Sequence, residues 1–245
     1  MMQQVHKPKI LVIIPAYNEA ESIASVIEKL HTDCNNADYE VNYVVINDCS
    51  KDRTKEVLQD IDANYINLTI NLGIGGGVQT GYKYAMANGY DIAVQIDGDG
   101  QHDTIFLNDI VQLIIDDQAD IVIGSRFIDK KGFQSTCTRR MGISLLSWLI
   151  RLCCGARVLD VTSGFRAVNR QYIALYAAEY PVDYPEPEAI VRASMDGARI
   201  KEVPVIMKER ETGESSISFG KSIYYMIKVS LAIIICRLSN NKKRG

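Results

Sequence analysis

The chain has 245 residues, 47% hydrophobic and 23% charged, a globular balance that suits one large α/β domain or one domain with a short appendage. A net charge of −3 argues against a general nucleic-acid binder, whose surface is normally basic. Six cysteines without Cys-x-x-Cys spacing read as reduced thiols of a cytoplasmic protein, and no run of about 18 apolar residues marks a membrane-crossing helix.

The opening "MMQQVHKPKILVIIPAYNE" holds one short apolar run and no signal-peptide cleavage pattern, so it reads as a first strand, "KILVIIPAY". "NEAESIASVIEKLHTD" follows as a helix with acids in its first turn. "YEVNYVVINDCS" gives a second strand that breaks at Asn47-Asp48, "KDRTKEVLQDI" a helix and "ANYINLTIN" a third strand. "GGGVQTGYKYAMANG" predicts a helix opened by glycines, "YDIAVQID" a fourth strand, "DTIFLNDIVQLIIDD" a helix and "ADIVIGSRF" a fifth strand. Strand–helix alternation through short connectors implies a mostly parallel sheet covered on both faces. Such sheets bind ligands beyond the carboxyl ends of their strands. Asn18-Glu19, Asn47-Asp48 and Asp97-Asp99 leave those ends and should converge on one crevice.

After residue 126 the alternation stops. A loop at 129–138 precedes the apolar "MGISLLSWLIRLCCG" at 141–155; "LDVTSGFRAVNR", a Pro-rich "YPVDYPEPE", the strand "RIKEVPVIM" and the loop "KERETGESSIS" follow. The apolar "SIYYMIKVSLAIIICRL" at 222–238 is interrupted by Lys228 and followed by a basic tail. One domain over 1–221 and an amphipathic C-terminal helix with its tail over 222–245 is the simplest division. The two apolar segments read either as core or subunit-interface helices of a homo-oligomer, or as helices lying in a membrane interface.

The densest chemistry is "IDGDGQHD", from Ile96 to Asp103. In extended backbone, residues two apart point the same way, so Asp97 and Asp99 can face one small cation, with Gly98 allowing close approach of the backbone. Hard oxygen ligands suit Mg²⁺ or Mn²⁺, which keep waters and share substrate phosphates. A solvated acidic turn is the plain alternative. A calcium loop begun at Asp97 fails, because His102 and Asn108 stand where Gly and Glu are needed. "NLGIGGGVQTG" lacks the Gly-Lys-[Ser/Thr] of a phosphate loop, the three histidines have no i, i+4 partner for zinc, and no Gly-x-Ser-x-Gly elbow is present.

Together these segments resemble family 2 glycosyltransferases of the GT-A fold, a Rossmann-like α/β architecture. "IPAYNEAESI" resembles their first strand and turn, "VINDCSKDRT" their second-strand loop, "NLGIGGGVQTGYKYA" their helix start and "IDGDGQHD" their D-x-D site; "GSRF", "DVTSGFRA" and "EVPVIMKERETGESSIS" continue in order. The likeness spans roughly residues 9–219 and is greatest to the dolichyl- or polyprenyl-phosphate sugar synthases. It implies that Pro15, Tyr17 and Glu19 line the nucleotide, that Asp48 contacts the base edge, and that Gly73 joins the donor-binding set. It further implies that Asp97 and Asp99 hold the metal, that Gln101 stands near the sugar, and that Arg126, Arg166 and Arg210 meet phosphate charge. Ser215 and Ser216 would close over the donor. Two departures stand out: Ile74 where the family often has Lys, and Asn47-Asp48-Cys49 where it has Asp-Asp-Gly.

The chemistry then depends on the acceptor. A glycan hydroxyl wants a carboxylate base, for which Glu186 and Glu188 are candidates; Glu188 also suits the first turn of a helix opened by Pro187. A polyprenyl phosphate is already an anion and needs no base; Arg139, Arg140, Arg151 and Arg166 around the 141–155 segment suit it. The expectation is a metal-dependent, inverting transfer from a nucleotide sugar, UDP-linked rather than GDP-linked, by an enzyme peripheral to the inner face of the cell membrane. The contrary readings are a decayed nucleotide-sugar-binding scaffold and a nucleotidyltransferase; the acidic "PAYNEAE" after the first strand excludes the second.

Overall fold

A computed structural model of the chain describes residues 7–34, 39–134, 136–183, 185–208, 228–235 and 237. In chain order its elements are β1 (Lys9–Ala16), α1 (Ile23–Cys34), β2 (Glu40–Asn47), α2 (Thr54–Asp60), β3 (Tyr65–Asn67), α3 (Gly73–Ala87) and β4 (Ile92–Gln95). There follow α4 (Leu107–Ile115, after a 3₁₀ turn at Thr104–Phe106), β5 (Ile121–Ser125), α5 (Cys137–Cys154), β6 (Arg166–Asn169), α6 (Arg170–Ala178), α7 (Pro185–Met195) and β7 (Ile200–Pro204).

The strands form one seven-stranded sheet in the order β3-β2-β1-β4-β6-β5-β7. All pairings are parallel except those of β6, which runs antiparallel between β4 and β5. The alternation of β1 explains the two-sided cover: Leu11 and Ile13 face one apolar cluster, and Ile10, Val12 and Ile14 the other. The first cluster receives Val78 and Tyr82 of α3, Ile143 and Leu146 of α5, Tyr176 of α6 and Ile190 of α7. The second receives Val26 and Ile27 of α1, Leu58 of α2 and Ile110 of α4. Each such aliphatic side chain withdrawn from water contributes about 1.5–3 kcal/mol against the entropy of ordering the chain. On α3, Gly81 lets the helix press onto β1, since a Cβ there would meet Ile13 Cγ2 at 2.2 Å.

Two local expectations change. The first helix begins at Ile23 and has no acid in its first turn; Asn18 turns the chain with φ 58°, and the Glu19 carbonyl already accepts from the Ser22 and Ile23 N–H groups. Glu19 is thereby left at the sheet's carboxyl edge rather than on the helix. The third strand shrinks to Tyr65–Asn67, the three residues that pair with Val45–Asn47 of β2.

The described residues of both apolar segments of the second half divide into a buried face and an exposed one. On α5, Ile143, Leu146 and Ile150 are buried, while Met141, Leu145, Trp148 and Leu152 are exposed, Trp148 at 59% and Leu152 at 68%. The exposed four repeat with helical spacing and share α5 with exposed Arg139, Arg140 and Arg151. In the helical stretch 228–235, Val229 and Ile233 join the core while Leu231 and Ile235 are exposed. Among the described residues no helix is long and apolar enough to cross a membrane.

Candidate active site

The carboxyl ends of β1, β2 and β4 meet as expected. The Asp48 N–H donates to the Ala16 carbonyl at 2.9 Å, joining the β1 and β2 ends. Ser22 Oγ donates to the Gly98 carbonyl at 2.8 Å and lies 2.9 Å from Glu19 Oε2, joining the β1 loop to the acidic turn. The Glu19 N–H in turn donates to Thr54 Oγ1 at 2.8 Å. Sequence reasoning misses Ser22 and Thr54; nothing in their spacing separates them from ordinary loop hydroxyls.

Asp97 and Asp99 leave β4 half-buried, and Asp99 Oδ1 accepts the Gln101 N–H at 3.1 Å. Gln101 is tied by main-chain bonding to Lys208, whose N–H donates to the Gln101 carbonyl at 3.0 Å. Tyr17 is 42% exposed at the mouth of the crevice, where an aromatic face can meet a planar base. Pro15 is buried within β1 and packs the floor beside Gly77. Asp48 is only 4% exposed; its Oδ1 accepts the Leu72 N–H at 2.7 Å, so it fastens the start of α3 to the β2 loop. Gly73 contributes conformation: its φ is 74°, and a Cβ there would meet nothing within 4 Å.

The departures from the family pattern fall at three distinct places in the fold. Asn47 is 1% exposed, donates from Nδ2 to Asn67 Oδ1 at 2.6 Å and accepts from Ser50 Oγ at 2.5 Å. Its amide is a joint between β2 and β3, and its donor is a function that an aspartate there would lack. Cys49 occupies φ 57°, a left-handed conformation that suits the family's glycine. Ile74 is 41% exposed, so its side chain is an apolar part of the rim.

The arginines are placed otherwise than expected. Arg126 is 6% exposed and forks onto Asp160, Nε to Oδ2 and Nη2 to Oδ1, each at 2.6 Å. Asp160 is wholly buried and also receives the Arg126 N–H. Arg166 is 1% exposed; its Nε and Nη2 donate to the Ser163 carbonyl at 3.2 and 2.6 Å, and its Nη1 to the Glu186 carbonyl at 3.3 Å. Buried charge must be paired or hydrogen-bonded, and both guanidiniums are so engaged inside the protein. The expectation that Arg126 and Arg166 meet phosphate charge is corrected on that ground.

The two candidate bases separate. Burial raises the Glu186 carboxyl above the usual range; Asp97 adds to the rise, while Arg166 and Gln95 oppose it. Burial also raises Glu188, against the pull of Arg192. Glu188, however, lines a different cavity of about 260 Å³ with Glu179, Asp183, Arg192 and Lys228. Arg210, Ser215 and Ser216 lie outside the described residues.

Among the described residues no three Asp, Glu, His or Cys side chains form a ready-made metal cage. The half-buried Asp97 and Asp99 pair fits a different kind of site, in which two carboxylates take a hard divalent cation whose other positions belong to water and ligand oxygens.

Comparison with known proteins matches this geometry to a lineage. Residues 11–174 match the pattern described as "Glycosyl transferase family 2". Undecaprenyl-phosphate mannosyltransferase of Micrococcus luteus is 32% identical over 221 residues, 86% of this chain and 88% of that protein. UDP-N-acetylglucosamine–dolichyl-phosphate N-acetylglucosaminyltransferase of Methanococcus voltae is 31% identical over 241 residues, 89% of this chain and 94% of that protein. Among solved structures, glucosyl-3-phosphoglycerate synthase of Mycobacterium tuberculosis, in complex with Mn²⁺, UDP-glucose and phosphoglyceric acid, superimposes with a TM-score of 0.71 at 18% identity, covering 94% of this chain and 80% of that one. The shared sheet is the GT-A fold, and with the family pattern covering β1 through β6 the chain belongs to glycosyl transferase family 2.

Proposed function

We propose that this glycosyltransferase moves a sugar from a uridine-diphosphate donor to a polyprenyl phosphate, by one displacement with inversion at the anomeric carbon. The observation that carries it is the convergence of the Glu19, Asp48 and Asp97–Asp99 loops at the carboxyl ends of β1, β2 and β4. Support for the acceptor comes from relatives whose names specify undecaprenyl and dolichyl phosphates. Support for uridine comes from the UDP-linked donor in one of those names and the UDP-glucose in the similar structure.

Asp97 and Asp99 would hold Mg²⁺ or Mn²⁺, which when bound supplies positive charge to a departing diphosphate. Tyr17 would face the base, Glu19 the ribose, and Gln101 the sugar. Asp48 and Gly73 would shape the nucleotide pocket through the start of α3, and Arg210 and Ser215 would complete it from the loop after β7. A phosphate acceptor is an anion at neutral pH, so no side chain need remove its proton. If the acceptor were a glycan hydroxyl, Glu186 would be the base, favoured over Glu188 because Glu188 lines the separate cavity with Arg192 and Lys228.

The exposed stripe of Met141, Leu145, Trp148 and Leu152, beside Arg139, Arg140 and Arg151, would rest in the headgroup region of an anionic membrane, where such an acceptor resides. The test is thermal stability across uridine and guanosine diphosphates and their sugars, with and without Mn²⁺, followed by transfer to polyprenyl phosphate. Stabilisation by one nucleotide that needs metal names the base. Absence of stabilisation by every nucleotide overturns the donor site.

A further inference from the structure

Asp97 is enclosed by a segment distant from it in sequence. On one side is the His102 ring, 6% exposed, whose Nδ1 accepts the Asp97 N–H at 2.9 Å. A ring nitrogen that accepts carries no proton, so the neutral imidazole has its proton on Nε2, and that atom lies 3.7 Å from Asp97 Oδ2. The same ring stacks on Phe165, with centroids 5.3 Å apart and planes 28° from parallel. Gly164 precedes Phe165, and a Cβ there would meet Asp97 Oδ1 at 2.8 Å and Oδ2 at 3.1 Å. Arg166 completes the segment: its two bonds to the Ser163 carbonyl span Gly164 and Phe165, and its third bond reaches the first turn of α7. Across the sheet Arg166 pairs in register with Gln95, the last residue of β4.

We infer that Ser163-Gly164-Phe165-Arg166 and His102 form a clamp that fixes the Asp97 carboxylate, with His102 and Arg166 as positioning residues that touch neither donor nor acceptor. Gly164 and His102 bound the carboxylate from separate parts of the chain, and Phe165 braces the ring. Arg166 holds the backbone that carries both contacts. This rests on the reading of Asp97 as a metal ligand. Groups that orient a ligand typically set metal affinity by about 10–100-fold when removed.

The test is Mn²⁺ uptake by the full chain in the presence of UDP, followed by electron paramagnetic resonance, with melting measured in parallel without metal. Gly164→Ala adds one methyl at a position outside the left-handed region, and the three atoms nearest that methyl all belong to the Asp97 carboxylate. Gly164→Ala and His102→Phe are expected to weaken Mn²⁺ binding about 10–100-fold. His102→Asn, whose side-chain oxygen can replace Nδ1 as acceptor, is expected to lose less than His102→Phe. Arg166→Lys keeps the charge without the fork and should follow Gly164→Ala. The Mn²⁺ concentration for half-maximal transfer should rise in the same order, which a general loss of packing would not produce. If Gly164→Ala does not fold, the order of the two His102 variants carries the decision. Variants that melt normally and bind Mn²⁺ as tightly as the parent overturn the clamp alone. A parent chain that takes up no Mn²⁺ overturns the metal-site reading, and the clamp with it.

Discussion

At the carboxyl ends of β1 and β4, Tyr17, Glu19, Asp97 and Asp99 keep some exposure, whereas Arg126 and Arg166, at the end of β5 and the start of β6, turn into the protein. Asp97 and Asp99 remain half-buried at the edge; Arg126, Asp160 and Arg166 are nearly or wholly covered. The difference follows from connection. Parallel strands joined by helices release each strand end into a loop at the same edge. The antiparallel β6 enters from that edge, so the residues leading into it lie beneath the acidic turn and become its support. An arginine near the acidic turn can therefore serve as a brace.

The contrast can be broken most directly at Arg126. Arg126→Met leaves Asp160 buried without its fork and is expected to cost about 3–5 kcal/mol in denaturant unfolding. Arg126→Met combined with Asp160→Leu should recover much of that loss. An unchanged unfolding midpoint with lost transfer would move Arg126 to the crevice. Asp99→Ala is the opposite case: transfer should fall about 10²–10³-fold while stability without metal holds, checked by initial rates and melting.

Further from the crevice, the outward face of α5 offers a spectroscopic reading. Trp148 is the only tryptophan of the chain, so its emission should shift to the blue on anionic vesicles and remain unchanged on neutral ones. Trp148→Ser should weaken vesicle binding about tenfold or more, measured by sedimentation. A change in mass in solution without vesicle binding would assign that face to a second copy instead. The smallest effect belongs to Cys49→Gly: relief of the left-handed backbone offsets the added freedom of the unfolded chain, leaving a change within about 1 kcal/mol by chemical denaturation.

Much of the first half is legible in the sequence because periodicity and turn residues are local signals. "KILVIIPAY", "YDIAVQID" and "ADIVIGSRF" each contain a strand, and the three polar loops meet where a parallel sheet brings them. The second half is legible only in part: the 141–155 segment lies in α5 and "RIKEVPVIM" contains β7, but no local pattern marks β6 as antiparallel or says which face of "SGFR" points inward. A buried arginine and an exposed one have the same letter; the Asp160 carboxylate that takes Arg126 and the Ser163 carbonyl that takes Arg166 are brought to them by the fold. His102 has no second histidine at metal-binding spacing, yet it has partners in Asp97 and Phe165, one close in sequence and one far off. Trp148 and Leu152 are readable as apolar, but their exposure depends on α5 giving its core face to Leu146 and Ile150.

The place of β6 between β4 and β5 also has a temporal meaning. The two outer strands of this trio are made first but do not pair with each other, and among the described strands β5 lies between β6 and β7. A nascent chain that has reached Ser125 therefore holds β5 unmated and Asp97 without the Gly164 contact. Non-local pairing of this kind forms late because its loop-closure cost must be met first. The acidic turn gains its last described partners later still, when Met207 bridges His102 and the Lys208 N–H donates to the Gln101 carbonyl, so its surroundings are supplied from the C-terminal side of the chain.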